Sequence, residues 1–491
     1  MMKQKVAHSA AIMAIFQLSS RVFDVAALLV LARVLVPADF GLVAIATSVL
    51  LILTAVTEMP VIDILVQRGS VEPRDVDAAF TTNLMRGLGV AALMIALSFP
   101  VAEIYGDPRL VPILCALSLV PLGKNLESPG LVHAVRELNY GPTAQILLFG
   151  KLWGTVLSIA LAFATHSYWA LIAGVTATAI ASATWSYVLA PYRPRIQFTG
   201  VWSLMHFAGW VTLSRIFFTI NQQGDRFFIG HMLGTARLGT YTMGGDISSI
   251  ATNSLAAPIL RPMFAAMARI QEDTVRLRAA YIRCQQVLTI LILPLGVGMA
   301  AVADVLIPLI LRPQWHDARI VIWWIAPVVA LQMLSMPVQA ASMARGRPVA
   351  LTIREGAALV MRLPATLIAT YFYGFEGAVI SRSVTGLLII LFNMNIARKL
   401  VGASVTAQIV GVWRSLASSS LMVIAILAVR LVLPPPAGTE LQVAELTILV
   451  LLGGATYGAA HLLLWKLAGF PKGAEAFLLE MVRTRGKARV A

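Results

Sequence analysis

Ser203–His231 reads SLMHFAGWVTLSRIFFTINQQGDRFFIGH; it is long and apolar enough to cross a bilayer, yet it carries Arg215, Asn221, Gln222, Gln223, Asp225 and Arg226. On a helix, Arg215, Thr219, Gln222 and Arg226 follow one another at spacings of four, three and four, so they share a face. An ionised side chain at mid-membrane costs about 2.5–3.5 kcal/mol on insertion scales. Such a face must turn toward protein or water. The stretch therefore reads as a membrane helix that forms one wall of a polar cavity.

The rest of the 491-residue chain fits a bilayer. It is 58% hydrophobic and 12% charged, against roughly 45–50% and about 25% in soluble domains. Its apolar runs are continuous and about twenty residues long, the length of a spanning helix. A transmembrane barrel would show alternating strips of about ten. Only helices and closed barrels satisfy their backbone in lipid, so the expected fold class is an all-α polytopic membrane protein. The net charge of +15 is read first as a topology signal, because basic loops set orientation; no nucleic-acid partner is inferred. Cys115 and Cys284 make neither a disulfide nor a metal pattern. Met1–Lys5 is short and basic and runs straight into an apolar stretch, so a first membrane helix is expected there, not a cleaved signal.

Apolar length, bounded by Pro, Gly and charge, predicts about fourteen spans. The first is His8–Leu35, the second Leu42–Val66, the third Ala79–Tyr105 and the fourth Leu110–Leu131. The opening stretch is the seventh, and Leu238–Met263 the eighth. The tenth to twelfth are Ile320–Met343, Ala350–Tyr373 and Gly377–Ile396; Val412–Leu433 and Leu446–Leu467 come last, separated by Pro434-Pro435-Pro436. With this count, alternate loops collect Lys3, Arg68, Arg74, Arg136, Arg193, Arg195, the Arg269–Arg283 cluster, Arg398 and the tail, and both termini are expected in the cytoplasm.

Two halves echo each other. Leu18-Ser19-Ser20-Arg21 matches Leu213-Ser214-Arg215, and Ala32–Gly41 matches Gly230–Gly239 as a short loop into a glycine-started helix. An odd-to-odd match is a parallel repeat. The expected organisation is an N-terminal six-helix lobe over 1–195, a C-terminal six-helix lobe over 196–400, two peripheral helices over 401–470 without a dense polar face, and a basic cytoplasmic tail over 471–491.

Charges inside spans are functional candidates by default. Gln17, Arg21 and Asp24 share a face, as do Thr54 and Glu58, and Asp246, Ser249 and Asn253; Arg354, Glu355 and Arg362 lie along the eleventh span. The bland reading is that Arg21–Asp24, Lys124–Glu127 and Asp225–Arg226 are local pairs or snorkelling anchors. It fits Lys124, Glu127, Arg86 and Lys151 best, since they sit near span ends. Arginine in excess over acid favours a phosphate-bearing substrate, because guanidinium meets phosphate bidentately. The substrate-site candidates are Arg21, Arg215, Gln222, Arg226, Arg354 and Arg362. Asp24, Glu58, Asp225 and Asp246 are candidates for coupling H+ or Na+, or simply neutralise arginines. No Walker loop and no HExxH occurs, the seven histidines are scattered, and no loop is long enough for a soluble catalytic site; no enzyme, resident cofactor or metal is expected.

ARVLVPADFGLVAIA (Ala32–Ala46), IDILVQR (Ile62–Arg68), AAFTTNLMRG (Ala78–Gly87) and ARIQEDTVRLRAAYIRC (Ala268–Cys284) resemble the polysaccharide-transporter family. These are the Wzx-type lipid-linked oligosaccharide flippases of the multidrug/oligosaccharidyl-lipid/polysaccharide exporter superfamily. The resemblance implies a bacterial cytoplasmic (inner) membrane protein. It would flip an undecaprenyl-pyrophosphate-linked oligosaccharide to the outer leaflet by alternating access, for exopolysaccharide, capsule or O-antigen lipopolysaccharide. Its partners would be the bilayer, that substrate and a polysaccharide polymerase or export machinery. On this reading Arg21 and Arg215 hold the diphosphate from opposite lobes. A lipid II flippase or an ion-coupled multidrug exporter of the same superfamily remains open. A membrane polymerase or ligase fits less well, since it needs a large external loop.

Overall fold

The computed structural model describes residues 2–58, 65, 71–198, 209–346, 349–432, 438–471 and 473–477. The loop before Val71, the start of the Ser203–His231 stretch, Pro434–Pro436 and most of the basic tail lie outside the described residues. Every regular element among the described residues is a helix. Nine of these helices are long and apolar enough to cross a membrane, and Leu110–Asn125 is a shorter apolar one.

The chain begins with α1 (Met2–Val34), α2 (Pro37–Thr57) and α3 (Pro73–Tyr105). Pro37 and Pro73 each open a helix, where the missing N–H costs nothing. Asp39 and Asp75 reach back to accept the N–H groups of Val36 (3.2 Å) and Glu72 (3.1 Å). The fourth expected span is broken into α4 (Leu110–Leu117) and α5 (Leu119–Asn125). Pro121 explains the break, since it has no N–H to offer the carbonyl of Leu117. The short α6 (Leu131–Arg136) then leads to α7 (Gly141–Thr165) and α8 (Trp169–Leu189).

Beyond the basic linker, α9 (Gly209–Arg269) holds the seventh and eighth expected spans, interrupted at Gly234 (φ 83°, ψ 170°). The same device recurs in α13 (Val349–Val401), where Gly374 (φ 60°, ψ −137°) separates the eleventh and twelfth. Only glycine takes these angles without steric cost, so each hairpin closes in about one residue. Between them lie α10 (Thr274–Ile310), capped by Asp273 through Val275 and Arg276 N–H, α11 (Ala318–Gln332) and α12 (Met336–Ala344). A single turn of tighter helix, Met333–Ser335, joins the last two, and Pro337 is again the residue that leaves a carbonyl, that of Met333, without its partner. The chain continues as α14 (Val405–Val432) and α15 (Thr439–Leu467).

By internal contacts the chain forms two compact units, 1–242 and 243–491, with the boundary inside α9. In the first unit, α7 and α8 meet through small residues. A Cβ on Gly154 would stand 1.9 Å from Thr178 Oγ1, and one on Gly150 2.0 Å from Ser182 Oγ. This is how membrane helices pack without a hydrophobic driving force. A tighter approach joins α2 to α9. A Cβ on Gly41 would lie 1.8 Å from the carbonyl oxygen of Thr235, and one on Gly239 1.8 Å from that of Pro37. These four residues are the ones that the match of Ala32–Gly41 with Gly230–Gly239 aligns, so the contact is reciprocal about a local twofold.

In the second unit, α10 is the central helix. Its Tyr281, Cys284, Leu288 and Ile292 are buried among Ala330, Met333, Ala341, Ala397 and Val401. A buried amide network ties α14 to this core. Gln285 donates to Gln408 (3.2 Å) and to the Leu334 carbonyl (2.8 Å), and Gln408 donates to Met394 (3.0 Å) and Ala403 (2.9 Å). The reading of α14 as a helix without a dense polar face is thereby corrected: Gln408, Arg414, Ser415, Ser418 and Ser419 are all buried on it. Ser415, Ser418 and Ser419 line its packed side. The outward surfaces are apolar, with Val360, Phe99 and Leu431 largely exposed, as hydrocarbon contact requires.

The glycine contact gives a direct test. Gly41→Ala or Gly239→Ala sets a methyl against a backbone carbonyl that no rotamer relieves, and should destabilise by about 1–3 kcal/mol. Gly89→Ala, with nothing within 4 Å, should be neutral or slightly stabilising. Thermal unfolding of purified variants in detergent checks both.

Candidate functional site

The candidate residues of the first unit fall into three groups. On α1, Arg21 has 58% of its side chain exposed and lies 3.9 Å from Asp24, one helical turn on. Asp24 also receives Lys151 of α7, whose Nζ lies 2.6 Å from its Oδ1. One carboxylate thus serves two cations on two helices, and the group keeps one positive charge.

The second group surrounds the end of α2. Glu58 stops that helix and pairs with Arg215 of α9; their side chains are 40% and 51% exposed. Arg86 of α3 is within electrostatic reach of the same carboxylate. Its Nη2 donates to Asn125 Oδ1 at 2.6 Å, and Asn125 is oriented by donating its own amide to the Pro121 carbonyl at 2.7 Å. Again two guanidinium groups share one acid.

The third group is buried in α9. Asp225 is 1% exposed and accepts the Tyr241 hydroxyl at 2.6 Å. Gln223 accepts the Ser48 hydroxyl of α2 at 3.1 Å. The face that spacing assigned to Arg215 and Gln222 is the exposed one, and Thr219 and Arg226 on it are half-buried. Asp225 belongs to the opposite, packed side with Asn221 and Gly224. Its adjacency to Arg226 in sequence therefore places the two on different faces.

In the second unit, Arg354 pairs with its neighbour Glu355, and Arg362, two turns on, is 5% exposed. Asp246 is exposed on α9. Among the described residues no three His, Cys, Asp or Glu side chains assemble to hold a metal.

Arg21 and Arg215 each have their own carboxylate, Asp24 and Glu58. Sequence reasoning missed the partners Lys151, Arg86, Asn125 and Tyr241. Lys151 and Asp24 lie 127 positions apart, and no spacing rule joins them. Their one legible signal was an isolated charge in an apolar span. A guanidinium carries five donors, and one carboxylate uses at most two of them. Arg21 and Arg215 therefore keep donors free for a further anion while remaining neutralised in its absence.

Residues 30–320 match the family described as "Polysaccharide biosynthesis protein". The chain is 27% identical over 311 residues to the succinoglycan biosynthesis transport protein ExoT of Rhizobium meliloti (strain 1021), covering 62% of this chain and 61% of that one. It is 23% identical over 326 residues to the lipopolysaccharide biosynthesis protein WzxC of Escherichia coli (strain K12), covering 65% of each. The match thus spans less than two thirds of the length of either relative. Among solved structures, the fold is similar to the lipid II flippase MurJ in an inward closed conformation, with a TM-score of 0.73 at 10% identity over 92% of this chain and 98% of that one. It is also similar to an inward-facing multidrug resistance MATE transporter, with a TM-score of 0.59 at 15% identity over 78% and 98%. A family match over residues 30–320, more than half of its length, shows that the chain belongs to the polysaccharide biosynthesis protein family.

Proposed function

We propose that this protein flips an oligosaccharide linked through pyrophosphate to a polyprenyl lipid, undecaprenyl in bacteria, from the cytoplasmic to the outer leaflet for surface polysaccharide assembly. The observation that carries the reading is the exposure of Arg21 and Arg215, 58% and 51% of their side chains, on helices of membrane-spanning length. Among the described residues, the helices that carry them, α1 and α9, are not among the nine apolar enough to cross a membrane, and both guanidinium groups are read as facing water or substrate. A diphosphate is the ligand whose charge and oxygen geometry match two such forks.

On this reading Arg21, Arg215, Gln222 and Arg226 line the substrate path in the first unit, and Arg354 and Arg362 line it in the second. The arginines rest on Asp24, Glu58 and Glu355 until the diphosphate takes the free donors. Asp24, Glu58, Asp225 and Asp246 are the groups through which H+ or Na+ would couple transport. Fourteen spans, two six-helix lobes, cytoplasmic termini and an inner-membrane location complete the proposal. A polysaccharide polymerase or export complex would receive the product.

Arg215→Ala should abolish surface polysaccharide at unchanged protein level, while Arg215→Lys keeps a fraction. Loss of one charge-assisted contact of about 1.5–3 kcal/mol corresponds to a ~10–100-fold drop in substrate occupancy. Cells depleted of the protein should accumulate the lipid-linked intermediate on the cytoplasmic leaflet, scored by protease- or glycosidase-protected labelling. Full export by Arg215→Ala would reject the assignment.

The Asp24–Lys151 pair makes a separate prediction. Either single neutralisation should lower stability by about 1 kcal/mol, since a pair one-third exposed is worth less than a buried one. The reversed pair Asp24→Lys with Lys151→Asp should recover most of that loss in thermal unfolding.

A further inference from the structure

Outside the candidate site, one cluster of ionisable side chains is buried almost completely. It lies where α14 and α15 pack together, toward the end of the bundle at which α15 stops. Arg414 of α14 and His461 of α15 have 11% and 8% of their side chains exposed. Their neutralising group comes from neither helix. It is Glu475, from a helical segment that begins at Ala474, after α15.

The chain doubles back to deliver it. Gly469 (φ 78°) and Phe470 (φ 52°) are both left-handed, and an aromatic residue rarely adopts that conformation. The Trp465 indole N–H holds the turn by donating to the Pro471 carbonyl at 3.2 Å. Ala474 is then fully buried, and Glu475 enters the pocket. Burial works to raise the Glu475 pKa, but His461, the backbone N–H of Glu475 itself and Arg414 together outweigh it and hold the carboxyl down to about 2.

The fit is incomplete in a way that points to a different ligand. Oε1 takes the contacts from the two cationic side chains: Arg414 Nε at 2.8 Å, Arg414 Nη2 at 2.7 Å and His461 Nε2 at 3.4 Å. The other oxygen, Oε2, is buried without a hydrogen-bond partner, and so are both ring nitrogens of His461. A carboxylate has two oxygens in one plane. A tetrahedral oxyanion has four, and could meet the Arg414 fork and the imidazole together.

We propose that Arg414 and His461 form an anion pocket for a phosphate group, and that Glu475 is its built-in occupant, a strap that a phosphate displaces. Two sources present that chemistry, a phosphomonoester lipid headgroup at the membrane surface and phosphate free in solution. Displacement would release the strained turn at Phe470 and uncover the packed ends of α14 and α15. The pocket shares no residue with the arginine groups of the candidate site, so it stands whatever substrate the protein carries.

The test reads whether position 474 is covered. Ala474→Cys, in a chain whose Cys115 and Cys284 are replaced by alanine, is reconstituted in phosphatidylcholine nanodiscs, and maleimide labelling is timed. Labelling should be slow there, and several-fold faster when phosphatidic acid is included if a lipid headgroup is the source. Inorganic phosphate should produce the same acceleration if the free anion is the source, and sodium chloride at matched ionic strength should not. Adding Glu475→Gln should open the strap without any phosphate, and adding Arg414→Gln should abolish the phosphate response. If Glu475→Gln leaves the introduced thiol as protected as before, Glu475 is not the strap. If Glu475→Gln opens it but neither phosphate source does, the pocket is a permanent structural pairing and the proposal is wrong.

Discussion

An ionised group inside a bilayer must find an opposite charge, a dipole or water, and this constraint arranges most of the polar structure of the chain. Arg21 and Arg215, the exposed arginines of the candidate site in the first unit, each lean on an acid that they do not fully consume. Asp24 is divided between Arg21 and Lys151, and Glu58 between Arg215 and the field of Arg86. The resulting groups are cationic enough to receive an anion and paired enough to persist without one. A fully matched set of pairs would have no affinity left for a substrate. A set of bare arginines would not have inserted.

The second organising element is steric. Where α2 begins and where α9 resumes after Gly234, two glycines let two backbones come closer than any side chain would permit. The contact is reciprocal: each glycine faces the carbonyl one turn before the other. A repeat that can be read in one dimension thus becomes a local twofold in three, and it fixes the starting points of two helices that carry polar groups farther along. The small-residue seam between α7 and α8 does comparable work for the helix that presents Lys151.

Much of the fold was legible in the sequence, because apolar length and the Pro and Gly that punctuate it are local properties. The positions of Gly234 and Gly374 fell where the expected spans left gaps, and the reciprocal glycines lay in the aligned loops. What local pattern could not supply was the breaking of the fourth and tenth spans, where Pro121 and Pro337 act on carbonyls one turn earlier inside runs that look uniformly apolar. Of the candidate site, the exposed face of Arg215 and Gln222 was readable from helical spacing. The partners were not. Lys151 and Arg86 meet charges many residues away, and such pairings depend on which helices become neighbours. The buried side of α14 was misjudged for a related reason, since serine is small enough to suit either a lipid face or a packed one.

The hairpins at Gly234 and Gly374 have a mechanical consequence. A connection of one residue has no slack, so the two arms of each hairpin cannot slide along one another or separate at that end. Any rearrangement of α13 must carry both arms as a single stiff fork, hinged elsewhere. Almost no chain stands clear of the bundle at these two points, which makes them poor places for a protease to cut, an antibody to grip or an inserted tag to be tolerated.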